Sequence, residues 1–392
     1  MVWLCWTGHR PSLHLPLAVL FFSAGLFVAC MVCHGELVRL KPHPRYLTLF
    51  YVMVSIGGAI GGLLTGVIGP NLFPADYEFT IGMAACATLA VFLLARDTPN
   101  HALRALLAAG LAGFIAFAVY VKYRDTAGYL YTGRNFYGRL AVYDNSEVGE
   151  LESARVLVHG GINHGQQLLF PEQRRTPVAY FCAESGIGRV LRARPAGVPW
   201  RIGILGMGCG ALAAYGRAGD TVRMYEINPL VPQLARQWFT YLKDTPAKVE
   251  TRLGDGRLLL ETEPDQQFDL LVMDAFSGDS VPVHLVTLEA FRTYFRHLKP
   301  GGILAVNITN RYLALSPVME RAAARFDRAA YHYEAEDGDG GGLCFASDWV
   351  LMYRRDRAKA LPSLLETGVP LGPAPNFRPW TDDFSNLLSV VR

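Results

Sequence analysis

Apolar positions crowd the first third of the chain and thin out after it. Four runs, 15–33, 46–69, 79–95 and 102–121, each approach the roughly 20 residues with which a helix crosses a bilayer. None holds an Asp, Glu or Lys, and Arg104, near the start of the fourth, can snorkel toward the interface. The pattern predicts a multi-pass membrane domain over 1–125 with about four helices. A cleaved secretory leader is the rival account of the first run, and the three runs that follow stand against it. In the second run, Gly57, Gly58, Gly61, Gly62 and Gly66 fall on one helical face, which predicts close packing of a neighbouring helix. His34, Glu36 and Arg39 follow the first run as a polar cluster at the membrane edge.

The period then changes. From Tyr137 to about Ala183 the chain has short β runs at 138–144 and 155–159, broken by Gly160-Gly161 and His164-Gly165, which predicts a small antiparallel β subdomain over 128–195. From Trp200 onward strand-like runs alternate with helical ones at 228–242, 286–297 and 313–325. Alternation of this kind predicts a doubly wound α/β domain over 198–392. Leu298-Lys-Pro-Gly-Gly302 is expected to stop a helix and feed a strand at 303–307. The acidic, glycine-rich 336–342 reads as a loop, and 362–379 as a proline-rich connection to the final segment.

Composition sharpens this picture at three points. A hydrophobic share of 51% and a mean hydropathy of +0.19 over 392 residues are high for a soluble enzyme, in keeping with the membrane domain. A formal charge of +3 without a dense basic run outside the membrane-flanking loops argues against nucleic acid as a partner. The seven cysteines show neither metal spacing nor a paired framework in the polar region, which predicts no metal site and suits a reducing compartment. Basic residues on the two sides of the membrane nearly balance, so charge alone does not orient the chain.

Chemistry concentrates between Ile202 and Asp274. An apolar run enters Gly206-Met-Gly208-Cys-Gly210, and three further runs lead to Glu226, to Asp255-Gly256 and to Asp274. Glycines in the turn let a ligand lie against bare backbone, and acids at successive strand ends form the binding edge of a parallel sheet. The turn also passes as a dinucleotide fingerprint with Glu226 on ribose hydroxyls. Asp255 separates the two readings, since an acid there is placed to accept from an adenine amino group and an adenosyl nucleoside then fills the site. Asp274 and Asp279 are expected to hang over the same edge, where they can hold a cationic amine and accept its proton, although Asp279 also suits a helix cap. Asn307, Asn310, Asp382 and Asp383 are further candidates for the cleft.

Tyr137-Gly138, His159-Gly160, His164-Gly165-Gln166-Gln167, Tyr180, the Gly206 turn, Glu226, Gly-Asp255-Gly and Asp274 together resemble the spermidine synthase (polyamine aminopropyltransferase) family. Cys33-His34-Gly-Glu36-Leu, the glycine-rich second run and Met273-Asp-Ala-Phe-Ser-Gly-Asp-Ser-Val-Pro282 resemble, more narrowly, bacterial membrane proteins whose cytoplasmic half is spermidine-synthase-like. Longer members of that group carry more membrane helices, so on this resemblance the chain is a short version. The resemblance implies a methyltransferase-like (Rossmann-type) sheet, polyamine biosynthesis, and attack by an amine on the carbon beside the sulfonium of decarboxylated S-adenosylmethionine. It implies Asp274 as general base, nucleoside binding by Glu226 and Asp255 with Gln167, and acceptor contacts from Gln166 and Tyr180. It also implies a homo-oligomer, an interface that membrane anchoring can replace.

Two departures bear on the substrate. The family's acid within the glycine turn, which holds the amine of the decarboxylated co-substrate, is Cys209 here, and its Tyr-His-Glu is Tyr180-Phe181-Cys182, with Glu184 nearby. Loss of the first acid makes intact S-adenosylmethionine easier to accept. The sequence therefore predicts a transferase anchored in the inner (cytoplasmic) membrane, its α/β domain facing the cytoplasm and an amine or polyamine as acceptor. A methyltransferase and a non-catalytic nucleoside sensor are the alternatives.

Overall fold

A computed structural model of the protein describes residues 15–145, 153–276, 281–356 and 368–392, and the chain divides into two compact units, 1–139 and 140–392.

In the first unit, helices Leu15–Arg39, Leu47–Leu63, Tyr77–Asp97 and His101–Thr126 follow the apolar runs, the second continuing through a π turn at Leu64–Ile68 into Gly69–Leu72. Among the described residues, four helices are long and apolar enough to cross a membrane. Their apolar side chains are largely exposed, Leu26 by 67% and Phe92 by 62%, a surface suited to lipid and costly in water. The last helix starts on Asn100, whose Oδ1 accepts from the Ala102 and Leu103 backbone N–H groups. Met83, Phe114 and Ala118 form a small buried cluster. At the helix ends Arg39 pairs with Glu36 and Asp97 at 3.4 and 3.3 Å. The glycine face of the second helix corrects the expected packing. A side chain built on Gly57, Gly58, Gly61, Gly62 or Gly66 meets nothing within 4 Å, so no described helix of this chain fills that groove. The unit closes with strand β1, Tyr129–Asn135.

The second unit opens with an antiparallel sheet of β2 (Gly138–Asn145), β3 (Ala154–His159) and β4 (Ile162–Leu168). The main sheet has the strand order β12-β10-β11-β9-β8-β5-β6-β7. Its parallel part consists of β5 (Arg201–Leu205), β6 (Thr221–Glu226), β7 (Lys248–Leu253), β8 (Phe268–Met273) and β9 (Leu298–Asn307). Antiparallel β10 (Arg328–Ala335), β11 (Ser347–Arg354) and the short β12 (Val369–Pro370) complete it. Buried on both faces, β8 reads as a continuous apolar run, with Leu270, Leu271 and Val272 fully enclosed. Strand order reverses between β5 and β8, and in open α/β sheets the crevice at such a switch point binds ligands.

Three local expectations change. Helix 228–242 divides into Leu230–Trp238 and Tyr241–Asp244, and at the break Gln167 accepts from the Thr240 backbone N–H and donates to its hydroxyl. The Pro-Gly-Gly segment lies inside β9, recruited by pairing of Phe268 with Leu298. The cysteine expectation is also overturned, since Cys182 and Cys344 form a disulfide across a sequence separation of 162. A bridge between Ala179 and Cys344 brings the two segments side by side, an approach invisible in their spacing.

Candidate active site

The turn after β5 is shaped by close backbone contact. Gly206 has φ +92°, and a Cβ there would strike the Asp274 carbonyl oxygen. Gly208 has φ +51°, and a Cβ would lie 2.5 Å from the His164 carbonyl oxygen. Glycine is required at both positions, and the turn is thereby pressed against the end of β8 and against β4. Only a short 3-10 helix, Ala211–Tyr215, follows Gly210, so the turn offers fewer aligned dipoles than a full helix would.

Glu226 ends β6 beside this turn. One carboxylate oxygen accepts from the Met207 backbone N–H at 3.1 Å and the other from that of Asn228 at 2.8 Å. Burial raises its pKa, and the backbone donors counter part of that rise. Asp255 is the N-cap of helix Gly256–Thr262, accepting from Leu258 N–H at 3.0 Å, while its other oxygen lies 2.9 Å from His284 Nε2. Gly256 serves packing, since a Cβ there would sit 2.9 Å from Leu205.

Asp274 lies at the end of β8. Its backbone N–H donates to Leu205, and its Oδ1 accepts from Asn307 Nδ2 at 2.7 Å. Asn307, at the end of β9, is itself fixed, its Oδ1 accepting from both the backbone and the hydroxyl of Thr309. Burial pushes the Asp274 carboxyl up to about 7, against the opposing pull of the Asn307 hydrogen bond. A carboxyl poised there exchanges protons near neutral pH. The cleft around it has a cavity volume of about 70 Å3 and is lined by Asn163, His164, Tyr180, Phe181, Gly208, Phe276 and Thr309 among others.

Of the residues anticipated from sequence, the cleft brings together Gly208, Tyr180, Asp274 and Asn307. Gln167 lies outside the lining, with its amide donating to the Arg174 carbonyl and Thr240 hydroxyl and accepting from Thr240 N–H. Gln166 accepts from Asn163 at 3.2 Å and also lies outside it. Asp279 falls outside the described residues. Asn310 caps a turn by accepting from Tyr312 and Leu313, and Asp382 pairs with Arg257 at 2.6 Å, so neither reaches the cleft lining. Asp383 is exposed, and Glu184 lies against the disulfide and 4.0 Å from Arg192. Burial pushes the Cys209 thiol up to about 12, which suits packing and not nucleophilic attack. Phe276 and Thr309 were not anticipated. Their signal was position, each lying two residues beyond a strand-end site residue.

No family model matches the chain. It is 32% identical over 114 residues to a polyamine aminopropyltransferase of Vibrio vulnificus, a match covering 28% of this chain and 38% of that protein. A probable polyamine aminopropyl transferase of Bifidobacterium longum is 32% identical over 110 residues, covering 27% and 23%. An eEF1A lysine and N-terminal methyltransferase of Danio rerio is 28% identical over 141 residues, covering 33% and 20%. The match thus spans well under half the length of each of these relatives. Among solved structures, a probable spermidine synthase from Corynebacterium glutamicum superposes with a TM-score of 0.45 at 20% identity, covering 62% of this chain and 88% of that one. Over about a quarter to a third of its length the chain is thus similar to polyamine aminopropyltransferases and a methyltransferase, and these relatives are transferases.

Proposed function

We propose that the protein is a membrane-anchored transferase that binds an S-adenosyl sulfonium and transfers an alkyl group, aminopropyl in the leading case, to an amine, with Asp274 as general base. The observation that carries this reading is the Asp274 carboxyl at the sheet's switch point, held by Asn307, poised near pH 7 and lining a cleft with Tyr180, Asn163 and His164. An amine of pKa near 10 is cationic at neutral pH and cannot attack, so a carboxylate that docks it and takes its proton meets the chemical need. The amine nitrogen bonds to the carbon beside sulfur, the C–S bond breaks with its electron pair going to sulfur, and the N–H proton passes to Asp274. Glu226 and Asp255, at the ends of β6 and β7, are proposed to hold the nucleoside hydroxyls and base.

Methyl transfer from intact S-adenosylmethionine is the second reading. Cys209 favours it: the position that carries the amine-binding acid in aminopropyltransferases is a buried thiol here, packed beside Gly165. A metal has no step in either chemistry. The proposed cytoplasmic orientation rests on the nucleoside co-substrate alone, because the Cys182–Cys344 disulfide removes the cysteine argument for a reducing compartment.

Calorimetric titration of detergent-solubilised protein with S-adenosylmethionine, its decarboxylated form and methylthioadenosine tests the reading. Preference for the decarboxylated form supports aminopropyl transfer, and preference for the intact form supports methyl transfer. Binding of none of the three refutes the nucleoside site. Asp274→Asn then separates enzyme from sensor, since only a sensor keeps its output.

A further inference from the structure

Most polar side chains lining the cleft already have partners. Asn163 accepts from Gly165 N–H at 2.7 Å and donates to Gln166 at 3.2 Å. Asn307 is shared between Asp274 and Thr309, and the Thr309 hydroxyl accepts in turn from Asp348 N–H at 2.9 Å. His164 is different: its Nε2 is buried and has no hydrogen-bond partner. A buried polar atom without a partner is uncommon in a native fold, and one in the wall of a ligand cleft is explained most simply by a ligand that supplies the partner. Such bonds are often unmade in an empty site and form when ligand binds.

The position of His164 is not accidental packing at a mobile edge. Its backbone is trapped between β4 and the glycine turn, where Gly208 leaves no room for a Cβ against the His164 carbonyl. Its ring meets that of His159 edge-on at a centroid distance of 5.0 Å. Burial, and to a lesser degree His159, lowers its pKa to about 4, so the imidazole is neutral at physiological pH. A neutral imidazole neither repels an ammonium group nor competes with Asp274 for its proton, and its unprotonated nitrogen accepts one hydrogen bond.

We propose that His164 is an acceptor-recognition residue whose imidazole takes an N–H of the incoming amine while Asp274 takes another, fixing the nitrogen at two points. This rests on the amine-transfer reading and deepens it. The acceptor is thereby an amine whose nitrogen carries at least two N–H bonds in its protonated form, which includes primary and secondary amines and excludes quaternary ammonium groups. Asp274 supplies the charge and removes the proton, and His164 supplies direction.

The test is calorimetric titration of the full-length, detergent-solubilised protein, saturated with methylthioadenosine, with 1,4-diaminobutane as probe. His164→Phe should weaken the amine about tenfold or more while methylthioadenosine affinity and thermal midpoint stay at wild-type values, and His164→Gln, which restores an acceptor atom, should recover part of the loss. Unchanged amine affinity in His164→Phe overturns the proposal, as does equal loss of amine and nucleoside affinity. Asp274→Asn distinguishes the two levels of inference. If it loses the amine while His164→Phe keeps it, only the role of His164 falls; if wild-type protein binds methylthioadenosine but no diamine, the amine-transfer reading falls with it.

Discussion

At the scale of single residues the site turns on one carboxyl and its donor. Asp274→Asn should lower turnover by about 10²–10⁴-fold, the range for loss of a general base, with nucleoside binding retained. Because the carboxyl is held near 7, kcat/KM should rise with pH through neutrality as Asp274 ionises. Asn307→Leu removes the donor that favours the charged form, so the midpoint of that rise should move upward by about one to two pH units; an unmoved midpoint would separate Asn307 from Asp274. The same shift has a signature in stability. The folded pKa is raised above the ordinary 3.8, so the folded state binds more protons between about 4 and 7 and stability falls as pH rises through that window. Denaturant titrations of wild type and Asp274→Asn across that range should differ in slope, the variant lacking this contribution. Asp274 was legible in the sequence because an acid ending a fully apolar run can only project from a strand end. The partners of Gln167 were not legible, because the break at Thr240 that engages its amide lies far along the chain.

At the scale of elements, the turn after β5 and the loop carrying Cys344 are the parts on which the cleft depends. Gly206→Ala forces a Cβ onto the Asp274 backbone at a positive φ, so it should cost more than the roughly 1–3 kcal/mol of a strained backbone and weaken both nucleoside binding and activity. The Cys182–Cys344 disulfide fastens the loop bearing Phe345 to the wall bearing Tyr180, whose rings meet edge-on at 5.5 Å. Cys344→Ser should lower the stability of the 140–392 unit by about 2–4 kcal/mol, read by denaturant unfolding, and added reductant should reproduce the loss only in the wild type. The strands and most helices were legible from their periods. The short helix after Gly210 and the inclusion of Pro-Gly-Gly in β9 were not, because tertiary pairing overrode local propensity.

At the scale of the whole molecule, the described residues combine four long apolar helices with an α/β unit in one chain. Fractionated cell lysate should yield the protein in the membrane pellet, resistant to high salt and alkaline carbonate and released by detergent; release by salt would contradict spanning helices. What the amino-acid sequence determined by itself was whatever is written in local order: apolar length, which must match the bilayer, strand and helix periods, and glycines and acids at strand ends that any parallel sheet gathers on one edge. Tertiary structure alone decided which of those acids is enclosed enough to titrate near neutrality, which amides are consumed by distant loops, that Cys182 meets Cys344, and that His164 keeps an unpartnered nitrogen in the cleft wall. Each of these depends on groups far apart in sequence arriving within a few ångströms, and desolvation and hydrogen bonding act only at that range.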